Sequence, residues 1–264
     1  MNLLQQNFET GKSESSHEIK NWQGEEGGRV FRGESASNTV KELYVQSAEN
    51  FAEIIKGKIP AREEPYLLAD LGGHKGELLE NLLAILPEYH FDTVTVDVNE
   101  DALAENTATQ MKIIGSLDHL PLGNASVDLA MARYVLPWND EMGQRKILKE
   151  ISRVVKSFAI VEHAGADNEE PAVWREHIED LFDGEEVSKL KRGTNLFSSR
   201  KEVEQWMQED GIKFERVAEK RVEKVSNVFI EKWVLDPEES QKTRDILGDK
   251  DYIIQTRWVI YPNG

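Results

Sequence analysis

Between Tyr66 and Glu162 the chain alternates short apolar runs with apolar residues at helical spacing, and this pattern restricts its fold more than any other feature. Tyr66 to Leu71 is a compact apolar run that ends in Gly72 and Gly73, as a buried strand entering a tight turn would. Leu78, Leu79, Leu82, Leu83 and Leu86 then follow at helical spacing as far as Pro87. Thr93 to Asp97 is a second strand, Asp101 to Thr109 a helix, and Lys112 to Ile114 a short third strand. Val127 to Ala132 is a fourth strand. Ile147, Leu148, Ile151, Val154 and Val155 mark a long amphipathic helix before a fifth strand, Phe158 to Glu162. Repeated strand–helix units join by right-handed crossovers, so the expected class is α/β, a doubly wound and mainly parallel sheet.

The flanks read differently. Residues 1–37 are polar and rich in Ser, Glu and Gly, suiting a loose arm. Thr39 and Glu42 have capping-box spacing, and Val40, Leu43, Tyr44, Ser47, Phe51, Ile54 and Ile55 share one helical face up to an expected stop at Gly57. After the fifth strand, Pro171 to Phe182 reads as a helix. A second helix follows the Ser199/Glu202 capping pair and stops at Gly211. Two β-rich segments, Phe214 to Val225 and Tyr252 to Tyr261, enclose a charged helical insert around Pro237 to Leu247. They are expected to form an antiparallel C-terminal edge on the sheet. The expected organisation is an arm and helix over residues 1–60, acting as a cap or lid. The ligand-binding domain over 61–264 carries inserts at about 164–198 and 226–250.

Charge narrows the partners. With 49 acidic against 32 basic side chains the formal net charge is −17, a poor match for a phosphate backbone. The cluster of Lys189, Lys191 and Arg192 reads as a solvated loop. No cysteine is present, which removes disulfides and thiolate metal sites. The first residues lack a basic stretch followed by an apolar run, and no apolar run reaches membrane length. A cytoplasmic protein with a small-molecule partner, no nucleic acid and no membrane is expected. The histidines near strand ends, His74, His119 and His163, lack tight metal-ligand spacing, so no metal is expected.

The chemistry centres on Leu68-Ala69-Asp70-Leu71-Gly72-Gly73-His74-Lys75-Gly76, at the first strand–helix turn. Glycines let the backbone turn sharply and approach a ligand, and the next helix begins with unpaired amides. A dinucleotide fingerprint needs glycines at first, third and sixth positions; from Gly72 these are Gly72, His74 and Glu77, so that fingerprint fails. The second strand ends in Asp97, 27 residues after Asp70, where nucleotide-binding α/β folds place an acid against ribose hydroxyls. Next come Ile114 to Leu122, containing Ser116-Leu117-Asp118, and Asn124 to Leu129 leading into strand four. Arg133-Tyr134-Val135-Leu136-Pro137-Trp138 follows that strand.

Over residues 64 to 165 this order resembles class I S-adenosylmethionine-dependent methyltransferases, whose Rossmann-like fold the alternation also matches. Asp70, Gly72 and Gly76 match the first motif, with His74 in place of the middle glycine. The resemblance implies that S-adenosylmethionine is bound by Asp70, Gly72, Gly73, His74, Gly76, Asp97, Val98, Ser116, Leu117, Asp118, Arg133 and Tyr134. Ser116 replaces the acid that commonly takes the adenine amino group, which shifts that contact towards Asp118 and leaves the Leu117 amide facing adenine. Arg133 would pair with the cofactor carboxylate, and Tyr134 or Trp138 would border the transferred methyl. The implied reaction is in-line attack by a small-molecule acceptor on the sulfonium methyl. His163, near the end of strand five, is the candidate base, because an imidazole titrates near neutral pH. Two alternatives share the scaffold: a non-methylating enzyme, and a silent adenosyl-ligand-binding protein in which His74 and Ser116 mark decay.

Overall fold

A computed structural model describes residues 38–165, 198–223, 245 and 252–263. Helix α1 (Asn38–Lys58) precedes β1 (Tyr66–Leu71), α2 (Glu77–Ile85), β2 (Phe91–Asp97), α3 (Glu100–Glu105) and β3 (Met111–Ile114). Then come β4 (Val127–Arg133), α4 (Glu141–Val154), β5 (Val155–Gly165), α5 (Arg200–Glu209), β6 (Phe214–Glu223) and β7 (Tyr252–Ile260). Among the described residues the strands form one sheet in the order β3-β2-β1-β4-β5-β7-β6. The first five pair in parallel, and β7 runs antiparallel to both β5 and β6.

Strand alternation sends successive side chains to opposite faces. Ala69, Leu71, Val94, Val96, Ala130, Ala132, Ala159 and Val161 pack with Ile147, Leu148 and Ile151 of α4 and Val203 and Met207 of α5. Leu68, Leu129, Met131, Phe158 and Ile160 pack on the other face with Ala48, Phe51, Ala52 and Ile55 of α1 and Leu78, Leu79 and Leu82 of α2. Helix starts are fixed locally. Asn99 accepts from the Ala102 amide, Asp140 from the Gly143 amide, and Ser199 and Glu202 form the expected capping box.

Several boundaries move, each for a visible reason. Helix α1 already includes Asn38 and Thr39 and runs through Gly57 to Lys58. One glycine costs only about 1 kcal/mol in a helix, and the Ile59 amide still donates to the Ile55 carbonyl at 3.0 Å. Helix α3 ends at Glu105 because the buried Asn106 carboxamide takes over, its Oδ1 accepting from the Ala108 and Thr109 amides. The two late strands form the expected antiparallel edge of the sheet. β7 is buried almost throughout and inserts between β5 and β6, and the charged β6 takes the edge. β5 extends to Gly165 and so includes His163. The expected helix at 171–182 and the insert around 237–247 lie outside the described residues, Asp245 apart. No helix among the described residues is long and apolar enough to cross a membrane.

Candidate cofactor and acceptor site

The turn after β1 is built for close backbone approach. Gly72 has φ +73° and its amide donates to the Val96 carbonyl at 2.7 Å, tying the turn to β2. A Cβ on Gly73 would lie 2.2 Å from Asp70 Oδ2, so only glycine fits there. His74 holds the middle position at φ +48°, a left-handed conformation that histidine tolerates better than most residues. Two neighbours hold it: its amide donates to Asp97 Oδ2 at 2.9 Å, and its carbonyl accepts from Asn106 Nδ2 at 3.3 Å. His74 therefore leaves the turn intact.

Beneath this turn Asp70 is 2% exposed, and its Oδ2 has no hydrogen-bond partner among the described residues. Burial, then the charges of Asp97 and Glu77, push its carboxyl up to about 8. A buried acid with an orphaned oxygen beside two like charges suits a cationic ligand group, which would stabilise its ionised form. S-adenosylmethionine carries two such groups, an ammonium and a sulfonium, so the residues fit the cofactor.

Asp97 closes β2 and is nearly buried. Its Oδ2 accepts from His74 and its Oδ1 from the Asn99 amide at 2.8 Å. Each carboxylate oxygen keeps a further lone pair, so bracing the turn leaves room for ribose hydroxyls. Val98 follows it, half-buried. The Gly115 amide donates to the Asp97 carbonyl at 3.0 Å, which brings the next loop alongside. There Leu117 to His119 form a 3-10 turn, and Ser116 Oγ donates to Asp118 Oδ1. Leu117 Cδ1 sits 3.5 Å from where a Gly72 Cβ would be. The fold thus gathers Asp70, Gly72, Gly73, His74, Gly76, Asp97, Val98 and Ser116 to Asp118 at the carboxyl ends of β1 to β3.

At the end of β4, Arg133 turns towards α1. Its Nε donates to Glu162 Oε1 at 3.1 Å and to Ser47 Oγ at 3.0 Å. The guanidinium carbon lies 4.5 Å from the Tyr44 ring and 4.1 Å from the Tyr134 ring. Tyr134 has φ +55°, and its amide donates to the Glu162 carbonyl at 2.8 Å. Burial pushes its phenol up to about 12. From β7, Arg257 Nε donates to Glu162 Oε2, while Arg257 Nη2 donates to Gln255 Oε1 at 2.9 Å. Gln255 Nε2 in turn donates to the Tyr134 hydroxyl. Sequence reasoning missed Tyr44, Ser47, Glu162, Gln255 and Arg257. Gln255 and Arg257, flanking Thr256 in a strand whose other residues are apolar or aromatic, are the signal that could have found the last two. The Trp138 side chain lies outside the described set.

His163 does not sit as expected. Alternation along β5 turns it away from Glu162, towards Trp258, whose ring centre is 5.9 Å away. It is fully buried, and its Nε2 donates to the Ser198 carbonyl at 2.7 Å. Burial pushes its pKa down to about 4. A shielded imidazole of such low basicity does not suit proton removal from an acceptor.

Residues 69–161 match the family model described as a methyltransferase domain. No curated protein matches the chain by sequence. Among solved structures the fold is similar to the YcgJ protein from Bacillus subtilis, with TM-score 0.61 and 15% identity over 83% of this chain and 99% of that one. It is also similar to geranyl diphosphate C-methyltransferase from Streptomyces coelicolor, crystallised with Mg2+, geranyl-S-thiolodiphosphate and S-adenosyl-L-homocysteine. There the TM-score is 0.53 and the identity 11%, over 80% of this chain and 75% of that one. The [4+2]-cyclase SpnF shares the fold at TM-score 0.53 and 13% identity, over 83% of this chain and 82% of that one. Residues 69–161 thus match a methyltransferase domain, and the sheet as a whole shares the fold of these solved structures.

Proposed function

We propose that this chain methylates a small-molecule acceptor in the crevice above β1, β4 and β5, with the cofactor held across the carboxyl ends of β1 to β3. The observation that carries the reading is the pairing of an orphaned, buried Asp70 with the glycine turn that Asp97 braces. S-adenosylmethionine, when bound, supplies a methyl group activated by its sulfonium. The chain's own part is to bind and orient. Asp97 accepts from ribose, Asp118 and the Leu117 amide meet adenine, and Asp70 offsets the cationic end. Arg133, bonded to Glu162 and Ser47 and set against the Tyr44 and Tyr134 rings, steadies the acceptor side of the site. With the His163 imidazole shielded, positioning carries the catalysis, and the acceptor enters as an already competent nucleophile. A small-molecule acceptor agrees with the charge of −17 and with a fold relative named for its action on geranyl diphosphate.

The SpnF likeness keeps a second chemistry on this scaffold in view, and fold alone does not choose between them. The match to the methyltransferase family over residues 69–161 favours methyl transfer. Replacing Asp97 with Ala should weaken S-adenosylhomocysteine binding at least tenfold in a calorimetric titration. Unchanged affinity in a folded variant would remove Asp97 from the site.

A further inference from the structure

The hydrogen-bond chain from Glu162 to Tyr134 has a direction. Arg257 can only donate, so Glu162 Oε2 and Gln255 Oε1 must accept from it. With its oxygen committed, Gln255 presents its amide protons to the Tyr134 hydroxyl, which must accept them. The phenolic proton therefore points away from Gln255, and it meets no acceptor among the described residues. Gln255 pairs with Ala164 at the end of β5, so the Tyr134 ring reaches across that strand end, over the crevice. Tyr134 is only partly buried and is held at a left-handed φ by its amide bond to the Glu162 carbonyl. Strain of this kind persists where the surroundings over-determine it and clusters at functional sites.

Charge defines what would meet that proton. Two guanidiniums, Arg133 and Arg257, share the single carboxylate of Glu162, and both are nearly buried. The network keeps one surplus positive charge beside the Tyr134 ring, where a carboxylate gains and an ammonium loses. From this geometry we propose that Tyr134 is an acceptor-binding residue whose hydroxyl donates to a carboxylate on the methyl acceptor, making small carboxylate-bearing nucleophiles the substrate class. The proposal rests on the methyltransferase reading above and adds the acceptor's chemistry to it.

The test uses inert probes on the full chain saturated with S-adenosylhomocysteine. Acetate and benzoate, labelled with 13C at the carboxylate, are titrated by NMR, with acetamide and methylamine as controls. Both carboxylates should bind saturably in the millimolar range and the controls should not. Tyr134→Phe removes the donor and should weaken carboxylate binding about tenfold, the scale of one hydrogen bond to a charged group. Gln255→Glu keeps a partner for Arg257 but turns the phenolic proton onto itself, so it should weaken binding to the same extent. The double variant should be no weaker than either single one. Each variant is held saturated with S-adenosylhomocysteine at its own affinity and should keep the parent's thermal midpoint, so the carboxylate titration reads the lost donor and not structural damage. Carboxylate binding that is absent in the parent, or equal in parent and Tyr134→Phe, overturns the proposal. Failure of S-adenosylhomocysteine to bind the parent overturns the methyltransferase reading instead.

Discussion

At His163 and Asp70, burial sets two pH dependences of opposite sign. His163 takes a proton at about 4 in the folded chain, whereas an unfolded histidine takes one near 6.5. Above that window neither state is charged. As pH falls through it the unfolded state binds the proton first, so stability is lost on acidification, on the order of 3 kcal/mol by pH 4. Denaturant unfolding of His163→Phe between pH 4 and 7 should show a flatter profile than the parent; an unchanged slope contradicts the burial account. Asp70 works the other way. Its folded carboxyl keeps a proton up to about 8, so the folded state is penalised as pH rises from 4 to 8. Asp70→Asn should remove that loss and unfold at higher denaturant than the parent at pH 8, and equal midpoints there would show the carboxyl is not desolvated. The legibility of single residues differed for the same physical reason. Asp70, Asp97 and the glycines could be read because they hold a fixed order around one turn. The burial of His163 depends on the extension of β5 and on Ser198, 35 residues away.

At the scale of elements, the buried ion network joins α1, β4, β5 and β7 through one carboxylate. Ser47 Oγ donates to Glu162 Oε1 at 2.7 Å, and Arg133 and Arg257 donate to its two oxygens. Removing the shared anion leaves two buried cations facing each other. Glu162→Ala should therefore destabilise the fold by about 3–5 kcal/mol, the cost of breaking a buried pair. A thermal midpoint within a degree or two of the parent would show that the network contributes little. Ser199→Ala, which deletes half of the α5 capping box, should cost about 1 kcal/mol in the same assay. Elements with strong periodicity, β1, β2, β4 and α4, were legible from the chain. The length of α3 was not, since the Asn106 side chain ends it. Nor was the interior position of β7, because burial on both faces looks the same in sequence at an edge or in the middle of a sheet.

Across the whole molecule, the carboxyl ends of β1, β4 and β5 lie along one edge of the parallel sheet, which is where doubly wound sheets bind ligands. Both halves of the candidate site open there: the glycine turn with Asp70 and Asp97, and the Arg133–Tyr134 corner backed by Glu162. The residues proposed for the cofactor half gather around one turn and the two loops beside it, and that grouping could be read ahead of the structure. The proposed acceptor half draws on Tyr44, Ser47, Glu162, Gln255 and Arg257, residues brought together from α1, β5 and β7 only by tertiary packing. The central claim, that this crevice is an adenosyl-cofactor site, is tested most directly by calorimetric titration of the full chain with S-adenosylmethionine, S-adenosylhomocysteine and NADH. Saturable one-to-one binding of both adenosyl ligands with no heat from NADH is predicted. No binding of either adenosyl ligand, or preferential binding of NADH, would contradict it.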